Sequence, residues 1–155
     1  MNCFPTFVGS MESTEKEELY TLIAHKLRFV EAPINWVGIN DLQSLTFIRN
    51  DYFELLKVKN LAQGSLSEIP KETNLIFIQL QNQGIQQAIS ALPQIIDLPG
   101  LQESLARINA NLFIIDDLVF NAASEVKQLE ILAEVFYNKF FAFGHEGEAW
   151  VKLSI

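Results

Sequence analysis

Two places in this 155-residue chain bring together side chains that could do chemistry. Asp116-Asp117 could pair as general acid and base or bind a hard cation. His145-Glu146-x-Glu148 sets one imidazole and two carboxylates in a Gly-rich loop, a donor set that suits a metal. Polar residues also follow apolar runs at Asn40-Asp41 and Gln81-Asn82-Gln83. Each has a plainer reading. Adjacent residues on extended backbone point to opposite faces, so Asp116 and Asp117 are poorly set to share a proton or a metal. Asp117 can instead cap the next turn. Gly144 and Gly147 are expected to leave the His145 loop floppy, whereas metal sites hold three or more ligands rigidly. His145, like His25 on the first helix, then reads as a surface histidine. Polar residues after an apolar run mark the solvated loop.

No nucleophile elbow, Walker-type loop, dinucleotide glycine fingerprint or zincin motif is present. Gly84 stands alone after an apolar run, without the further glycines of a phosphate loop. The expectation is a protein with no catalytic centre, no cofactor and no metal. A small enzyme using Asp116, Asp117 or His145 is the competing hypothesis. Cys3 is the single cysteine, so the chain can form neither an internal disulfide nor a thiolate zinc site of its own.

These residues need elements to position them. Thr14 with Glu17 forms a capping box, and Leu19, Leu22, Ile23 and Leu27 follow at helical spacing. Residues 1–13 are expected as a flexible N-terminus. Ile34 to Ile39 reads as a strand after Pro33, and Leu45 to Ile48 as a short one. Asn50-Asp51 can cap a helix from Tyr52 to Lys59, ended at Gln63-Gly64-Ser65. Leu75 to Leu80 is a nearly continuous apolar run, the mark of a strand covered on both faces. A helix from Gly84 to Leu92, stopped by Pro93, and a short one from Leu101 to Leu105 come next. Asn109-Ala110 turns the chain into a second buried-type strand, Asn111 to Asp116. A helix over Ser124 to Asn138 carries Val126, Leu129, Leu132, Ala133 and Phe136 as one stripe. Helices and strands alternate, which predicts a Rossmann-like three-layer α/β/α domain with a mostly parallel sheet of about four strands. Residues 1–155 read as one domain, with no repeat and no linker.

Hydrophobic residues make up 49% of the chain, too many for a disordered one. Eleven basic residues against nineteen acidic give a formal charge of −8, a field that repels nucleic acid and anionic membranes. No apolar run approaches the roughly eighteen residues of a membrane span, and the first ten residues lack the form of a signal. The chain as written is expected in the cytoplasm. Only a true start further upstream would allow the periplasm.

Four segments carry a family resemblance: Leu98-Pro99-Gly100-Leu101-Gln102, Asn111 to Asp116, Leu129 to Glu134, and the tail from Phe143 to Leu153. Together they resemble the C-terminal lobe of ABC-transporter substrate-binding proteins of the cobalamin and ferric-siderophore type. Upstream, Asn50-Asp51-Tyr52-Phe53-Glu54-Leu55-Leu56 occupies the place of the family's Asn-Trp-(hydrophobic)-Pro-Glu-Leu segment. The resemblance implies a ligand face including Tyr52, Gln81, Asn82, Phe120 and Asn121. It also implies that Glu54 falls where such proteins present an acidic residue to the transporter's arginines. The chain departs from the pattern as well. Ala122-Ala123-Ser124 stands where the family carries an Arg-Pro-Gly-Pro-Arg-like turn, and Gln81-Asn82-Gln83 replaces a Cys-Gly-Phe-like loop. The family closes a cleft between two lobes joined by a long helix, and a second lobe is not recognisable here. Half a clamp binds a large ligand poorly, because concave burial supplies most of the affinity. The expectation is therefore an interaction module acting as a homodimer or with a protein partner. The alternative is a transport component for cobalamin or iron-siderophore whose signal and first lobe lie elsewhere.

Overall fold

The computed structural model describes residues 3–31, 33–39, 55–61 and 68–153. A parallel sheet forms its middle layer. Strand β1 (Ile34–Ile39) pairs in parallel with β2 (Val58–Asn60) on one side and β3 (Leu75–Ile78) on the other. Strand β4 (Leu112–Ile115) continues the parallel array beside β3, and β5 (Trp150–Lys152) closes the far edge antiparallel to β4. The order is β2-β1-β3-β4-β5, one strand more than the sequence predicts. Register puts Ile39 beside Ile78 and Ile78 beside Ile114, so the strands end level with one another.

The unbroken apolar runs are explained by burial on both faces. Trp36, Leu75, Phe77, Phe113 and Ile115 point into one core, shared with α1 (Cys3–Lys26) and α6 (Glu125–Phe136). Val37, Ile39, Ile76, Ile78, Leu112 and Ile114 point into the other. That second core is covered by α2 (Ile85–Ser90), α3 (Leu92–Ile96) and α4 (Leu105–Ile108). Leu19 and Ile23 on α1, and Leu27 just past its end, recur every fourth residue and are buried in the core shared with α6. Gly38 is fixed by a close approach: a Cβ there would come within 2.9 Å of both Phe77 and Trp36, whose rings stack 5.0 Å apart.

Several element boundaries differ from the sequence expectation. Helix α1 begins at Cys3, so Thr14 and Glu17 lie inside it rather than at its cap. Pro93 opens α3 instead of merely ending α2, because the first turn of a helix needs no proline N–H. The short helix expected at Leu101 forms later, as α4, where the buried Ser104 hydroxyl accepts from Arg107 N. The helix expected to reach Lys59 gives way at Lys57, whose φ of +55° turns the chain into β2. There the β-branched Val58 pairs with Ile34, and edge pairing overrides helical propensity. Asn40-Asp41, Leu45 to Ile48, Asn50-Asp51 and the Gln63-Gly64-Ser65 turn lie outside the described residues.

Candidate binding face

In a sheet of this kind the carboxyl ends of the parallel strands are where ligands bind. At β3 and β4 those ends are closed by their own side chains. Gln79, just past β3, is 6% exposed and donates its amide to Asp117 Oδ1 at 2.8 Å. Asp117 Oδ2 accepts the backbone N–H of Asn82 at 2.7 Å, and Asp117 N donates to the Gln83 carbonyl at 3.1 Å. The loop therefore folds back onto the buried carboxylate, with Asn82 held at φ +60°.

Asp116 faces elsewhere. One of its oxygens accepts from Val119 N at 3.0 Å and caps α5 (Asp117–Ala122). The other accepts from Ile85 N at 3.2 Å and so serves the first turn of α2. One carboxylate thus satisfies orphan N–H groups of two helices. The two aspartates diverge, as extended backbone requires, and the cap on the next turn is Asp116 rather than Asp117.

The His145 cluster is also dispersed. His145 Nε2 lies 2.9 Å from Glu130 Oε1 of α6, while Glu148 reaches Lys127 at 3.5 Å and Glu146 is exposed. The loop is not floppy. Glu134, 3% exposed on α6, accepts the backbone N–H groups of Phe143, Gly144 and His145 and the Trp150 indole N–H. Gly144 and Gly147 adopt φ of +91° and +94°, so they shape turns that a carboxylate then fixes. Among the described residues, no three His, Cys, Asp or Glu side chains are placed to hold a metal ion.

Of the ligand-face residues that the resemblance implies, Gln81, Asn82 and Asn121 are exposed at this end of the sheet. Phe120 is turned into the core, 2% exposed, and its carbonyl accepts from Gln128. Tyr52 and Glu54 lie outside the described residues. Gln79, Glu130 and Glu134 were not singled out in the sequence. Their signal was a polar residue inside an apolar run, and a Glu pair four apart on one helix face.

The chain is similar in structure to a periplasmic binding protein from Veillonella parvula DSM 2008, at a TM-score of 0.61 and 14% identity over 84% of this chain and 47% of that one. It is similar also to the TroA-like periplasmic binding protein FepB from Veillonella parvula, at a TM-score of 0.58 and 12% identity over 94% of this chain and 56% of that one. The chain thus spans about half the length of these neighbours. No protein-family model and no curated protein matches it. At such identities the likeness is one of fold: the chain has the α/β architecture of about half a periplasmic binding protein.

Proposed function

We propose that this chain is a non-catalytic interaction module built on one lobe of a substrate-binding protein, the C-terminal one, and that it acts by associating with protein. The observation supporting this reading is the closure of the ends of β3 and β4. The Gln79 amide nitrogen, the Asn82 N–H and the Gln83 carbonyl are all taken up by Asp117, and Asp116 is held by two helix starts, which leaves the Gln79 side-chain carbonyl oxygen as the buried polar atom there without a partner among the described residues. Polar groups already paired within a fold add little to the capture of a small ligand. What the surface offers instead is apolar: Phe29, Ile108, Leu118 and Phe140 are all substantially exposed. Native mass spectrometry of the purified protein tests the reading, with an oligomer or a co-purifying protein expected. A monomer carrying a stoichiometric small molecule would overturn it.

A second reading keeps transport. It is favoured by α1, whose 24 residues are of the kind that joins two lobes, and by the half-length match to the neighbours. In that reading the chain is the ligand-binding half of a transporter component, and Gln81, Asn82 and Asn121 would line one wall of the cleft. A frame encoding a secretion signal and a further α/β lobe, read in the DNA ahead of Met1, would support it. The first reading goes with the cytoplasm and the second with the periplasm; among the described residues no helix is long and apolar enough to cross a membrane.

A further inference from the structure

An exposed stripe of α1 carries acid before Leu22 and base after it, with Glu18 and Lys26 equidistant from Leu22. Beside the buried Leu19, Ile23 and Leu27, the helix exposes Glu15, Glu18, Leu22 and Lys26, and the turn that follows it exposes Phe29. The four helical positions are three and four apart and so share one stripe. Two carboxylates occupy its first half, an apolar side chain its centre, and a cation its second half, with the aromatic ring beyond. Among the described residues, Glu15 and Glu18 have no ion-pair partner. Lys26 donates to the Phe140 carbonyl at 2.7 Å and lies 5.4 Å over the Phe141 ring, and its ammonium has two further protons to donate. Phe29 is 79% exposed, with the Arg28 guanidinium 4.6 Å over its ring, and Leu22 is 38% exposed.

We infer that α1 is a self-association surface, on which a second copy of this chain lies antiparallel across a two-fold axis at Leu22. Turned end for end, Glu18 meets Lys26 of the second copy, and Glu15 meets its Arg28 and Phe29. The same contacts recur on the other side of the axis, as an isologous interface requires. Leu22 packs on its own counterpart, and each copy supplies both the acid and the base. A parallel arrangement would set like charges side by side. The net charge of −8 opposes association of two copies in general, so local complementarity is what selects this face.

This inference rests on the association reading, and the test separates the two. Sedimentation velocity at protein concentrations on the order of tens of micromolar is run on the wild type, Leu22→Glu, Glu18→Lys, Lys26→Glu and the double variant Glu18→Lys/Lys26→Glu. All these positions are exposed, and a far-ultraviolet circular dichroism spectrum like the wild type's checks the fold. We expect a wild-type dimer, a dissociation constant raised at least about tenfold in each single variant, and recovery in the double variant, where both pairs re-form with signs exchanged. In a Cys3→Ser background, Leu22→Cys should cross-link to a dimer on oxidation, and Thr21→Cys should not. A dimer indifferent to all four changes overturns the α1 interface and leaves association standing through another surface. A double variant as weak as the singles overturns the two-fold arrangement. A wild type that stays monomeric overturns the inference and leaves only a foreign partner for the proposed function.

Discussion

Gln79 and Asp117, 38 residues apart, meet as a buried pair at the carboxyl ends of β3 and β4, amide nitrogen to carboxylate at 2.8 Å. The pair turns what is an open crevice in many parallel sheets into a locked seam, because the remaining Asp117 oxygen draws in the Asn82 backbone. Asp117 is thereby a structural acceptor. Replacing it with Ala strands the buried Gln79 amide, at a cost of about 1–3 kcal/mol, and frees the part-buried Asn82 N–H to meet water. We expect Asp117→Ala to lower the denaturation midpoint accordingly. Millimolar Mg²⁺, Ca²⁺ or Zn²⁺ should leave the melting temperature of the wild type unchanged. A rise of several degrees would show that the aspartates take a cation after all.

Glu134 and Glu130 stand one turn apart on α6 and should differ sharply in worth. Glu134 is buried beneath three backbone N–H groups and an indole. Its removal leaves them all without an acceptor, and Glu134→Ala is expected to destabilise by about 3 kcal/mol or more. Glu130 only meets His145 near the surface, so Glu130→Ala should cost about 0–1 kcal/mol. Urea titration of the two variants gives the comparison. Loss of the near-ultraviolet signal of Trp150 in Glu134→Ala alone would mark where the loop comes free.

Gly38 sits between the stacked Trp36 and Phe77, with no room for a methyl group. Gly38→Ala should cost about 1–3 kcal/mol by overpacking, although a strand ordinarily gains from losing a glycine. Calorimetric melting would reveal the sign. A stabilised variant would mean that the ring stack yields readily.

The middle layer was legible because burial on both faces leaves nearly unbroken apolar runs. Leu75 to Ile78 and Leu112 to Ile115 are apolar on both alternate sets, as a doubly covered strand requires, and in Ile34 to Ile39 the polar exception, Asn35, lies at the half-buried start of the strand. Val58–Asn60 and Trp150–Lys152 were not, since each is three residues long and exists through pairing with β1 or β4. The start of α1 was missed for a different reason. Thr14 and Glu17 form a good capping signature, but nothing in a capping box forbids helix upstream of it. Asp116, Asp117 and His145 stand out in the sequence by residue type, yet their partners in the structure are backbone N–H groups and a Glu fifteen residues away. No spacing rule reports those.

Tyr137 offers a pH-dependent reading of the same packing. It closes the end of α6 and donates its hydroxyl to the Leu56 carbonyl, in front of β2. Burial pushes its pKa from 10.0 up to about 12. A phenol whose folded pKa is raised holds its proton more firmly in the folded chain. Its contribution is fully present below pH 10, where both states are protonated. Between about pH 10 and 12 the unfolded chain ionises first, and stability falls until the folded phenol follows, by on the order of 1.4 kcal/mol per pKa unit at most. Tyr137→Phe removes this slope and leaves the Leu56 carbonyl without its donor. The variant should therefore be about 1 kcal/mol less stable at neutral pH. Its stability should then fall less steeply than the wild type's between pH 10 and 12. Parallel urea titrations of both proteins through that range measure the difference, in which the ionisations common to the two cancel. Identical alkaline limbs would mean that the Tyr137 hydroxyl is open to water and that the α6 end is looser than its contact with Leu56 implies.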